Sequence, residues 1–403
     1  MMVQKELPKI LYIEKPSVVG GTITGLYETI RGLIAKGNFE PVMLFHGPNP
    51  YREKFKELNV QTIVLDETPP APPVPSTRDI GKSIGRYSSA LATAYRLARK
   101  SQLVWRKDRP LAQRVSQIIK DEAIDLVHHN NHLVSNRDTI LGARFAGVPQ
   151  VCHVRMLTEF DAVERWIGRS VDRFVYMSTA IEKQYQALGV PSSQGQVVYD
   201  SFEFGTRSQK EDHNELRQEF GLCENDYVIS NVGRFDWWKG QDYFIKAMKQ
   251  VVQSYSNTKA LLVGEPDQTP KSVAHYDKMQ QLLKELDLTN NVIITGFRSD
   301  VPQIMAASDL IVHSASEPEP FGRVVVEAMA AQRPIIATAA GGVLDIVTDQ
   351  VTGLLVPPKD DDAMGRAILN LIEDKDRGKR MGELGQEDVA SRFSVERHIN
   401  QIE

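Results

Sequence analysis

The sequence predicts an α/β protein made of two Rossmann-like domains that face each other across an interdomain cleft. Short apolar runs alternate with helical patterns through both halves of the chain, which is typical of parallel sheets covered by helices. A glycine-rich turn at Gly20 and Gly21 follows the first apolar run and precedes a helix, as at the start of a doubly wound unit. A chain of 403 residues has room for about two such domains.

The N-terminal half, residues 1–204, contains the first alternating series. We expect strands at 9–14, 41–46, 62–66, 124–130, 149–154 and 173–178, and helices at 25–37, 136–147 and 179–188. A proline-rich spacer at 69–76 and a long helical region at about 78–121 interrupt this alternation. We expect Pro110 to split the helical region, because proline cannot sit inside a helix.

The C-terminal half follows a polar, acidic stretch at 205–215 that is typical of a linker. From about residue 216 the pattern predicts strands at 227–233, 259–264, 291–296, 310–316 and 334–340, and helices at 241–254, 273–287 and 323–331. We therefore assign residues 205–392 to a second Rossmann-like domain and residues 393–403 to a terminal helix.

The composition narrows the class of protein. The formal charge of −4 and the pI near 6.2 give no reason to expect a nucleic-acid partner. Two cysteines, Cys152 and Cys223, are too few for a disulfide framework, which favours the reducing cytoplasm. The N-terminus lacks the apolar core of a signal peptide, and no run approaches ~18 apolar residues. Any membrane contact is therefore expected to be peripheral.

The most informative segment is EPEPFGRVVVEAM, residues 317–329. Glu319 and Glu327 stand eight residues apart around a turn that ends at Gly322, between a predicted buried strand and a helix. Free N–H groups and the positive end of the helix dipole collect at a helix start, and glycine lets the backbone approach a phosphate. The glutamates can accept hydrogen bonds from hydroxyls. The combination predicts a nucleotide-sugar site, although either glutamate alone would be an ordinary solvated charge.

Two cations follow the strand predicted at 227–233. Arg234 and Lys239 lie at its C-terminal end, the edge at which open α/β sheets bind ligands. An arginine fork together with a lysine point charge suits a diphosphate. Two surface cations near a helix start would give the same pattern, so this cluster alone leaves both interpretations open.

Together, GRFDWWKG (233–240) and EPEPFGRVVVEAM (317–329) closely resemble motifs of the retaining sugar-nucleotide glycosyltransferases of family 4, which have the GT-B arrangement of domains. The resemblance continues through residues 296–316 and through the Gly-Gly and G-L-L-V-P stretches of 339–360. It covers the C-terminal half almost end to end and the N-terminal half more loosely. It also implies that the terminal helix crosses back to brace the N-terminal domain.

The resemblance implies roles for individual residues. Catalytic roles fall on His153, Arg234, Lys239 and Glu319, and His153 is implied to touch the donor sugar near the reacting carbon. We expect Glu327 to bind the ribose hydroxyls and Glu319 the hexose hydroxyls. Donor-binding roles fall on Gly20, Gly21, Phe297, Arg298, Phe321, Gly322, Arg323, Val324 and Glu327, and acceptor-side roles on Arg155 and His128.

Plainer interpretations stay open for some of these residues. An ordinary tight turn explains the two N-terminal glycines, and a surface charge explains Arg155 or Arg298 equally well. We reject a metal site at the histidines of the segment HHNNH (128–132), because no spacing there places two of them and a carboxylate on one helix face. Asp360 and the two aspartates after it precede a helix and are expected to act as N-cap and dipole partners.

The predicted reaction is transfer of a hexose from a nucleoside diphosphate sugar, with UDP-glucose favoured, to a glycan or lipid-linked acceptor in polysaccharide biosynthesis. Arg234, Lys239 and the amides near Gly322 would stabilise the charge left on the diphosphate, so no metal or other cofactor is expected. The family implies retention, and no carboxylate of the N-terminal half is an obvious nucleophile, so we expect front-face attack. The rivals are a sugar-nucleotide epimerase, a glycogen-phosphorylase-like enzyme, for which no pyridoxal-lysine motif is found, and a non-catalytic nucleotide-sugar-binding module.

The helical region at 78–121 is strongly basic. Between residues 78 and 120 lie eleven lysines and arginines and two aspartates, a local charge of +9 in a chain whose total is −4. Apolar residues recur at sevens, and Tyr95 and Trp105 can sit at an interface. The two apolar series are Ile84 with Leu91, and Leu97, Val104, Leu111 and Ile118. We expect either that the region holds a lipid-linked acceptor at an anionic inner-leaflet surface, or that it packs on the domain with a solvated basic face.

Overall fold

The computed structural model describes residues 7–15, 21–65, 89–202 and 213–403. The chain divides into two compact units, Met1–Ser201 together with Val395–Glu403, and Phe202–Ser394. Each unit contains one parallel sheet with helices on it, which confirms the predicted α/β class with two Rossmann-like domains. The proline-rich spacer, Gly20 and Ile84 lie outside the described residues. So does most of the predicted linker.

The first unit is built on a seven-stranded sheet of order β3-β2-β1-β4-β5-β6-β7, in which every neighbouring pair is parallel. Its strands are β1 Lys9–Glu14, β2 Glu40–His46, β3 Gln61–Leu65, β4 Leu126–Asn130, β5 Gln150–Val154, β6 Arg173–Tyr176 and β7 Gly195–Val197. Its helices before the second unit are α1 Gly21–Lys36, α2 Tyr51–Glu57, α3 Ser89–Leu103, α4 Arg109–Asp121, α5 Arg137–Ala146, α6 Ala162–Gly168 and α7 Thr179–Ala187.

Helices cover both faces of this first sheet. Leu11 and Ile13 point to one face and pack with apolar residues of α4 and α5. Tyr12, between them, points to the other face and packs with α1, α2 and the last helix of the chain, α16 Val395–Ile402. Because successive strand residues alternate in direction, both faces need apolar residues, which explains the nearly continuous hydrophobic runs in the sequence.

The basic region is divided into two α-helices next to Pro110, as predicted, but a π-turn joins them without a break in the helical backbone. A π-turn over Val104–Asp108 joins α3 to α4, and its wider ring appears as the hydrogen bond from the Arg109 N–H to the Val104 carbonyl. Pro110 then occupies the first turn of α4, where its missing N–H costs nothing.

The predicted apolar stripe of this region is also only partly buried. Leu111 is buried, but Leu91 is 62% exposed. The buried face of α4 instead follows helical spacing, because this helix packs on α5 and on the apolar face of the sheet. Its members are Leu111, Ala112, Val115, Ser116 and Ile119.

The second unit is built on a six-stranded parallel sheet of order β10-β9-β8-β11-β12-β13. Its strands are β8 Tyr227–Val232, β9 Thr258–Val263, β10 Val292–Gly296, β11 Leu310–His313, β12 Ile335–Thr338 and β13 Leu354–Val356. Its helices are α8 His213–Glu219, α9 Gln241–Ser254, α10 Pro270–Glu285, α11 Val301–Ala307, α12 Arg323–Ala330, α13 Val343–Ile346, α14 Asp361–Glu373 and α15 Lys375–Arg392.

Two apolar clusters cover the two faces of the second sheet, as in the first unit. The larger joins β8, β9 and β11 to α9, α10 and α14, and the smaller joins the opposite strand faces to α8 and α11. The Asp360 carboxylate accepts a hydrogen bond from the Ala363 N–H at 2.8 Å at the start of α14. The predicted N-cap is therefore confirmed. Among the described helices, none combines the length and apolar character that crossing a membrane requires.

Candidate active site

The first candidate site lies where the strand order of the second sheet reverses. Strands β9 and β10 extend to one side of the neighbouring pair β8 and β11, and β12 and β13 extend to the other. Helices that leave such a pair go to opposite faces, so a crevice opens at the carboxyl ends of the two strands. Arg234 follows β8 and His313 ends β11, so polar side chains occupy both sides of that crevice.

The loop after β8 is fixed against the backbone that follows β11. Gly240 has a φ of +66°, and a Cβ there would lie 2.1 Å from the Ser314 carbonyl oxygen, so only glycine allows this approach. The Ser314 hydroxyl donates to the Lys239 carbonyl at 2.9 Å, and the Ser316 N–H donates to the Trp238 carbonyl at 2.8 Å. Lys239 is thereby held at the carboxyl ends of β8 and β11, the point at which the strand order switches direction.

Lys239 and Glu319 form an ion pair at this point. The Lys239 ammonium lies 2.5 Å from Glu319 Oε1, and Glu319 Oε2 lies 2.8 Å from His313 Nε2. The other imidazole nitrogen, Nδ1, lies 3.3 Å from the Thr338 hydroxyl. Four side chains from the ends of β11 and β12 and from the two loops therefore make one continuous chain of contacts.

The backbone of Glu319 is held as firmly as its side chain. It pairs with Gly341 as an isolated parallel bridge, and the Gly342 N–H donates to the Glu319 carbonyl at 2.8 Å. A Cβ on Gly341, whose φ is +66°, would lie 2.1 Å from that carbonyl oxygen. Gly341 and Gly342 are thus required because their backbone lies directly against that of Glu319.

The charge of Glu319 is stabilised by these partners. Burial alone would raise the pKa of Glu319, but the Lys239 ammonium and the His313 hydrogen bond outweigh it and hold that pKa well below its usual range. The Lys239 ammonium also lies 4.3 Å from the centre of the Trp238 ring. Glu319 is therefore a carboxylate at neutral pH, with a cation beside it.

Arg234 is the more accessible of the two predicted cations. Its side chain is 43% exposed and makes only loose ion pairs, 3.3 Å to Asp236 and 3.9 Å to Asp267. Surface pairs of this kind contribute little to stability, so the guanidinium can exchange them for a diphosphate at small cost.

The helix α12 begins directly after the glycine turn, as the sequence predicts. Gly322 is the N-cap, with a φ of +114° and no side chain to cap the first N–H groups. Glu327 lies one turn further on, with Arg323 4.0 Å from its carboxylate. Burial raises the pKa of Glu327, and Arg323 opposes that rise. Phe321 is buried against Phe202 and Phe393 at ring distances of 6.3 and 5.6 Å, so it packs the base of this turn.

The other donor-binding candidates of the second unit are placed as follows. Phe297 is 72% exposed directly after β10. Arg298 forms ion pairs with Asp300 at 2.7 Å and with Glu219, which explains its position without a ligand. Val324 is half-buried on α12. The ligand roles predicted for these residues stay predictions.

A second polar cluster lies at the strand-order switch of the first sheet, between β1 and β4. Asn130 ends β4 and donates to Glu14, at the end of β1, at 2.5 Å. The Arg155 Nε donates to the Asn130 side-chain oxygen at 2.7 Å, and its Nη1 pairs with Asp200 at 2.5 Å. The Arg155 side chain is fully buried, so the surface interpretation of this residue is wrong. Gly25 leaves room for it, since a Cβ there would approach Nη1 to 2.9 Å.

Burial sets the charge of the groups around Arg155. It raises the pKa of Glu14 to about 7, against the Asn130 hydrogen bond and the Arg155 charge. It lowers the pKa of His128 to about 3 and that of His153 well below its ordinary value, and Arg155 adds to both shifts. Both histidines are therefore neutral at pH 7. Neither ring nitrogen of His153 has a hydrogen-bond partner within the described residues.

The remaining N-terminal candidates are placed as follows. Gly21 is the exposed first residue of α1. His129 contacts Thr139 at 3.0 Å and Gln150 at 2.8 Å, so both of its ring nitrogens have protein partners. In the parts of the chain that the structure describes, no three His, Cys, Asp or Glu side chains converge as a metal site.

The two parallel sheets, each covered by helices, give the chain the fold of the GT-B glycosyltransferases. Two family models match the chain, glycosyl transferases group 1 over residues 212–388 and glycosyltransferase family 4 over residues 19–201. Together these ranges take in most of the sequence. The chain belongs to the family 4, or group 1, glycosyltransferases.

Solved structures share the whole fold. HepE of Anabaena, crystallised with UDP, is 24% identical, covers 98% of both chains and superposes with a TM-score of 0.78. A glycosyltransferase from Rickettsia africae is 18% identical, covers 98% of this chain and 97% of its own, and has a TM-score of 0.80.

Curated relatives match over shorter stretches. N-acetyl-alpha-D-glucosaminyl L-malate synthase of Bacillus anthracis is 24% identical over 306 residues, which are 73% of this chain and 78% of the relative. The capsular polysaccharide biosynthesis glycosyltransferase CapM of Staphylococcus aureus is 28% identical over 223 residues, 55% of each chain. Two other relatives are matched over about half of their own length.

Sequence reasoning missed two groups of side chains that the structure brings to these switch points. His313 and Thr338 support Glu319, and Glu14, Asn130 and Asp200 surround Arg155. His313 and Asn130 could have been found, because each ends an apolar run that predicts a strand next to the reversal of strand order. Asp200 follows an irregular segment, where no periodicity signals its position.

Proposed function

We propose that the protein is a retaining glycosyltransferase that moves a hexose from a UDP-sugar to a glycan or lipid-linked acceptor. The observation that carries the proposal is the Lys239–Glu319 pair at the switch point of the second sheet. A diphosphate needs fixed cations, and a hexose needs a fixed carboxylate, and here the two are in contact. Arg234 and the uncapped N-terminus of α12 add further positive groups.

The reaction follows from the charges of these groups. The bond between the anomeric carbon and the diphosphate oxygen breaks, and the acceptor oxygen bonds to the same face of that carbon. Lys239, Arg234 and the N–H groups after Gly322 stabilise the negative charge that develops on the leaving diphosphate. The leaving phosphate accepts the acceptor proton. Because fixed cations and amides carry this charge, we propose that no divalent metal is required.

Individual roles follow from the same arrangement. Glu327 binds the ribose hydroxyls and Glu319 the hexose hydroxyls. His153 is neutral and buried, and its two unpartnered nitrogens suit the role that the resemblance implies for it, contact with the donor sugar. Arg155 is held by Asn130 and Asp200, so we propose that it shapes the acceptor side by positioning its neighbours.

Relatives support the choice of donor. HepE has been crystallised with UDP, with UDP and glucose, and with UDP-glucose. The relative CapM is named for capsular polysaccharide biosynthesis. UDP-glucose is therefore the first donor to test.

A donor panel tests the proposal directly. The protein is mixed with UDP, GDP and several of their sugars in the presence of EDTA, and thermal stability and release of free sugar are measured. A true donor at ~100 times its dissociation constant adds about 2.7 kcal/mol of stability and shows slow hydrolysis. Conversion to an epimeric sugar nucleotide would identify the epimerase, and binding without any turnover the non-catalytic module. Hydrolysis abolished by EDTA and restored by manganese would disprove metal independence.

We also propose that the basic helical region docks on an anionic membrane surface. An apolar groove of about 690 Å³ lies along α3, the π-turn, α5 and α6. Trp105 and Trp166 line it, 66% and 50% exposed, with the guanidinium groups of Arg109 and Arg144 at 4.0 and 5.2 Å from their ring centres. No acid is among the described lining residues. Exposed tryptophans flanked by cations suit a bilayer interface that carries anionic lipids.

Sedimentation with vesicles tests the membrane proposal. Binding should occur with vesicles that contain phosphatidylserine, fall as salt is raised, and be absent with neutral vesicles. Trp105→Ala and Trp166→Ala should each weaken it. Trp237→Ala is the matched control, because this half-exposed tryptophan of the second unit also lies under a cation, Lys271, at 3.7 Å. If anionic vesicles fail to bind at low salt, the acceptor is soluble and the groove serves another purpose.

A further inference from the structure

We infer that His313 is a positioning residue that keeps the Glu319 carboxylate in place while Lys239 exchanges this carboxylate for the donor diphosphate. The inference rests on the proposed function. It assigns a task to a side chain that makes no predicted contact with substrate.

The geometry gives each carboxylate oxygen of Glu319 one protein partner. Oε1 lies 2.5 Å from the Lys239 ammonium and Oε2 lies 2.8 Å from His313 Nε2. Both partners are themselves well buried, with side-chain exposures of 16% for Lys239 and 5% for His313. A carboxylate bound by both of its oxygens cannot rotate.

The ionised Glu319 carboxylate can only accept a hydrogen bond, so it requires the proton on His313 Nε2, and Thr338 can satisfy the other ring nitrogen. The Thr338 hydroxyl lies 3.3 Å from His313 Nδ1, and Thr338 is 1% exposed. When the hydroxyl donates to Nδ1, the proton of the neutral ring must be on Nε2. Nε2 then donates to Glu319, so the neutral histidine suffices as a hydrogen-bond donor.

The two partners of Glu319, Lys239 and His313, have different roles. Lys239 is the cation that the diphosphate requires, and once its ammonium turns to the phosphate, Oε1 becomes open to a hexose hydroxyl. His313 has no such second partner and stays on Oε2. Since the Glu319 backbone is already fixed by Gly341 and Gly342, side-chain rotation is the remaining freedom, and His313 removes it.

Lys239 does not depend on His313. The backbone of Lys239 is held by the Ser314 hydroxyl and the turn that Asp236 caps. Loss of His313 should therefore disturb the hexose end of the donor site and spare the diphosphate end. This separation distinguishes a positioning role from a general loss of structure.

The experiment compares His313→Ala, His313→Gln and His313→Asn by UDP calorimetry and by turnover of the best donor. The glutamine amide reaches the position of Nε2 and can donate to Glu319, whereas the asparagine amide reaches only that of Nδ1. We expect all three variants to bind UDP within about twofold of the wild type. His313→Ala and His313→Asn should lose roughly 10- to 100-fold in kcat, the effect of a hydrogen bond to a charged group, and His313→Gln should recover most of it.

Two outcomes would overturn the inference. One is wild-type kcat in His313→Ala, and the other is a loss of UDP affinity that equals the loss of turnover. If His313→Ala does not fold, Thr338→Val against Thr338→Ser replaces it, because only serine keeps the hydroxyl, and equal kcat in that pair would contradict the account. Absence of turnover in the wild type with every donor would instead count against the proposed function.

Discussion

At the residue scale, the candidate site is a set of charges that satisfy one another before any donor binds. Lys239 neutralises the buried Glu319. Arg234 forms ion pairs with Asp236 and Asp267. A buried carboxylate without a partner would be costly, so the Lys239–Glu319 pair stabilises the fold around the site. The sequence predicted Lys239 and Glu319 from motifs, but their direct contact joins two loops 80 residues apart, which no local pattern reveals.

The cations can be tested singly. Arg234→Ala and Lys239→Ala should each weaken UDP-sugar binding and slow transfer, because each removes a charge-assisted hydrogen bond worth about 1.5–3 kcal/mol. Lys239→Ala should be the more damaging, since it also leaves Glu319 buried beside no cation. Calorimetry and turnover measure both effects, with Lys278→Ala, an exposed lysine paired with Asp242 on the same unit, as the control. Wild-type turnover in both variants would refute the proposal that these two cations bind the diphosphate.

Glu14 predicts a pH dependence of stability. Its folded-state pKa of about 7 lies above the value of an unfolded glutamate, so the folded protein binds the extra proton. The stability that comes from this tighter proton binding is fully present below the unfolded pKa and is lost as pH rises towards 7. Glu14→Gln should therefore remove a fall in stability between about pH 4.5 and 7, on the order of 1–3 kcal/mol. If the unfolding free energies of variant and wild type change in parallel with pH over that range, the prediction is contradicted.

At the scale of elements, apolar runs predicted the strands well and short helices poorly. The strands β1 to β6 and β8 to β12 lie where continuous apolar runs predicted them, because a buried parallel strand must be apolar on both faces. The helices α2, α6 and α13 are four to seven residues long, too short for periodicity. The long helix α15 was missed because it is polar over most of its surface.

The glycines of the site loops are required by close backbone contacts, and one pair of substitutions tests this. Gly341→Ala must push a Cβ against the Glu319 carbonyl, whereas Gly221→Ala adds a Cβ in open space at nearly the same φ, +63° against +66°. We expect Gly221→Ala to cost about 1 kcal/mol of backbone strain. Gly341→Ala should cost more and should also reduce turnover. Equal losses of stability with full activity would show that the Gly341 contact is unimportant.

At the scale of the whole molecule, each unit carries its polar cluster at the strand-order switch of its own sheet. The class and the two-domain organisation could be predicted from alternation alone, and the second-unit site from its motifs. The contacts of Arg155 could not, because its partners Asn130 and Asp200 lie 25 and 45 residues away in the sequence, and no local pattern joins these segments.

The last helix is part of the first unit, and its packing predicts where its loss is felt. Ile399 on α16 is 3% exposed in the core that contains α1, and His398 contacts the Thr29 hydroxyl at 2.9 Å. Ile399→Ala should cost about 2–4 kcal/mol, and Ile402→Ala, on the half-buried edge, clearly less. Hydrogen exchange should show the lost protection in the first unit. Loss confined to the second unit would contradict this assignment.

If the proposed function is right, the second unit binds a nucleotide sugar with Glu327 on the ribose and Glu319 on the hexose. UDP calorimetry combined with donor turnover, for Glu327→Gln and Glu319→Gln, tests it most directly, since UDP carries the ribose and lacks the hexose. Glu327→Gln should weaken UDP binding. Glu319→Gln should leave UDP affinity unchanged or slightly higher, because Lys239 is released, and should nearly abolish turnover. An equal loss of UDP affinity in both variants would contradict the claim.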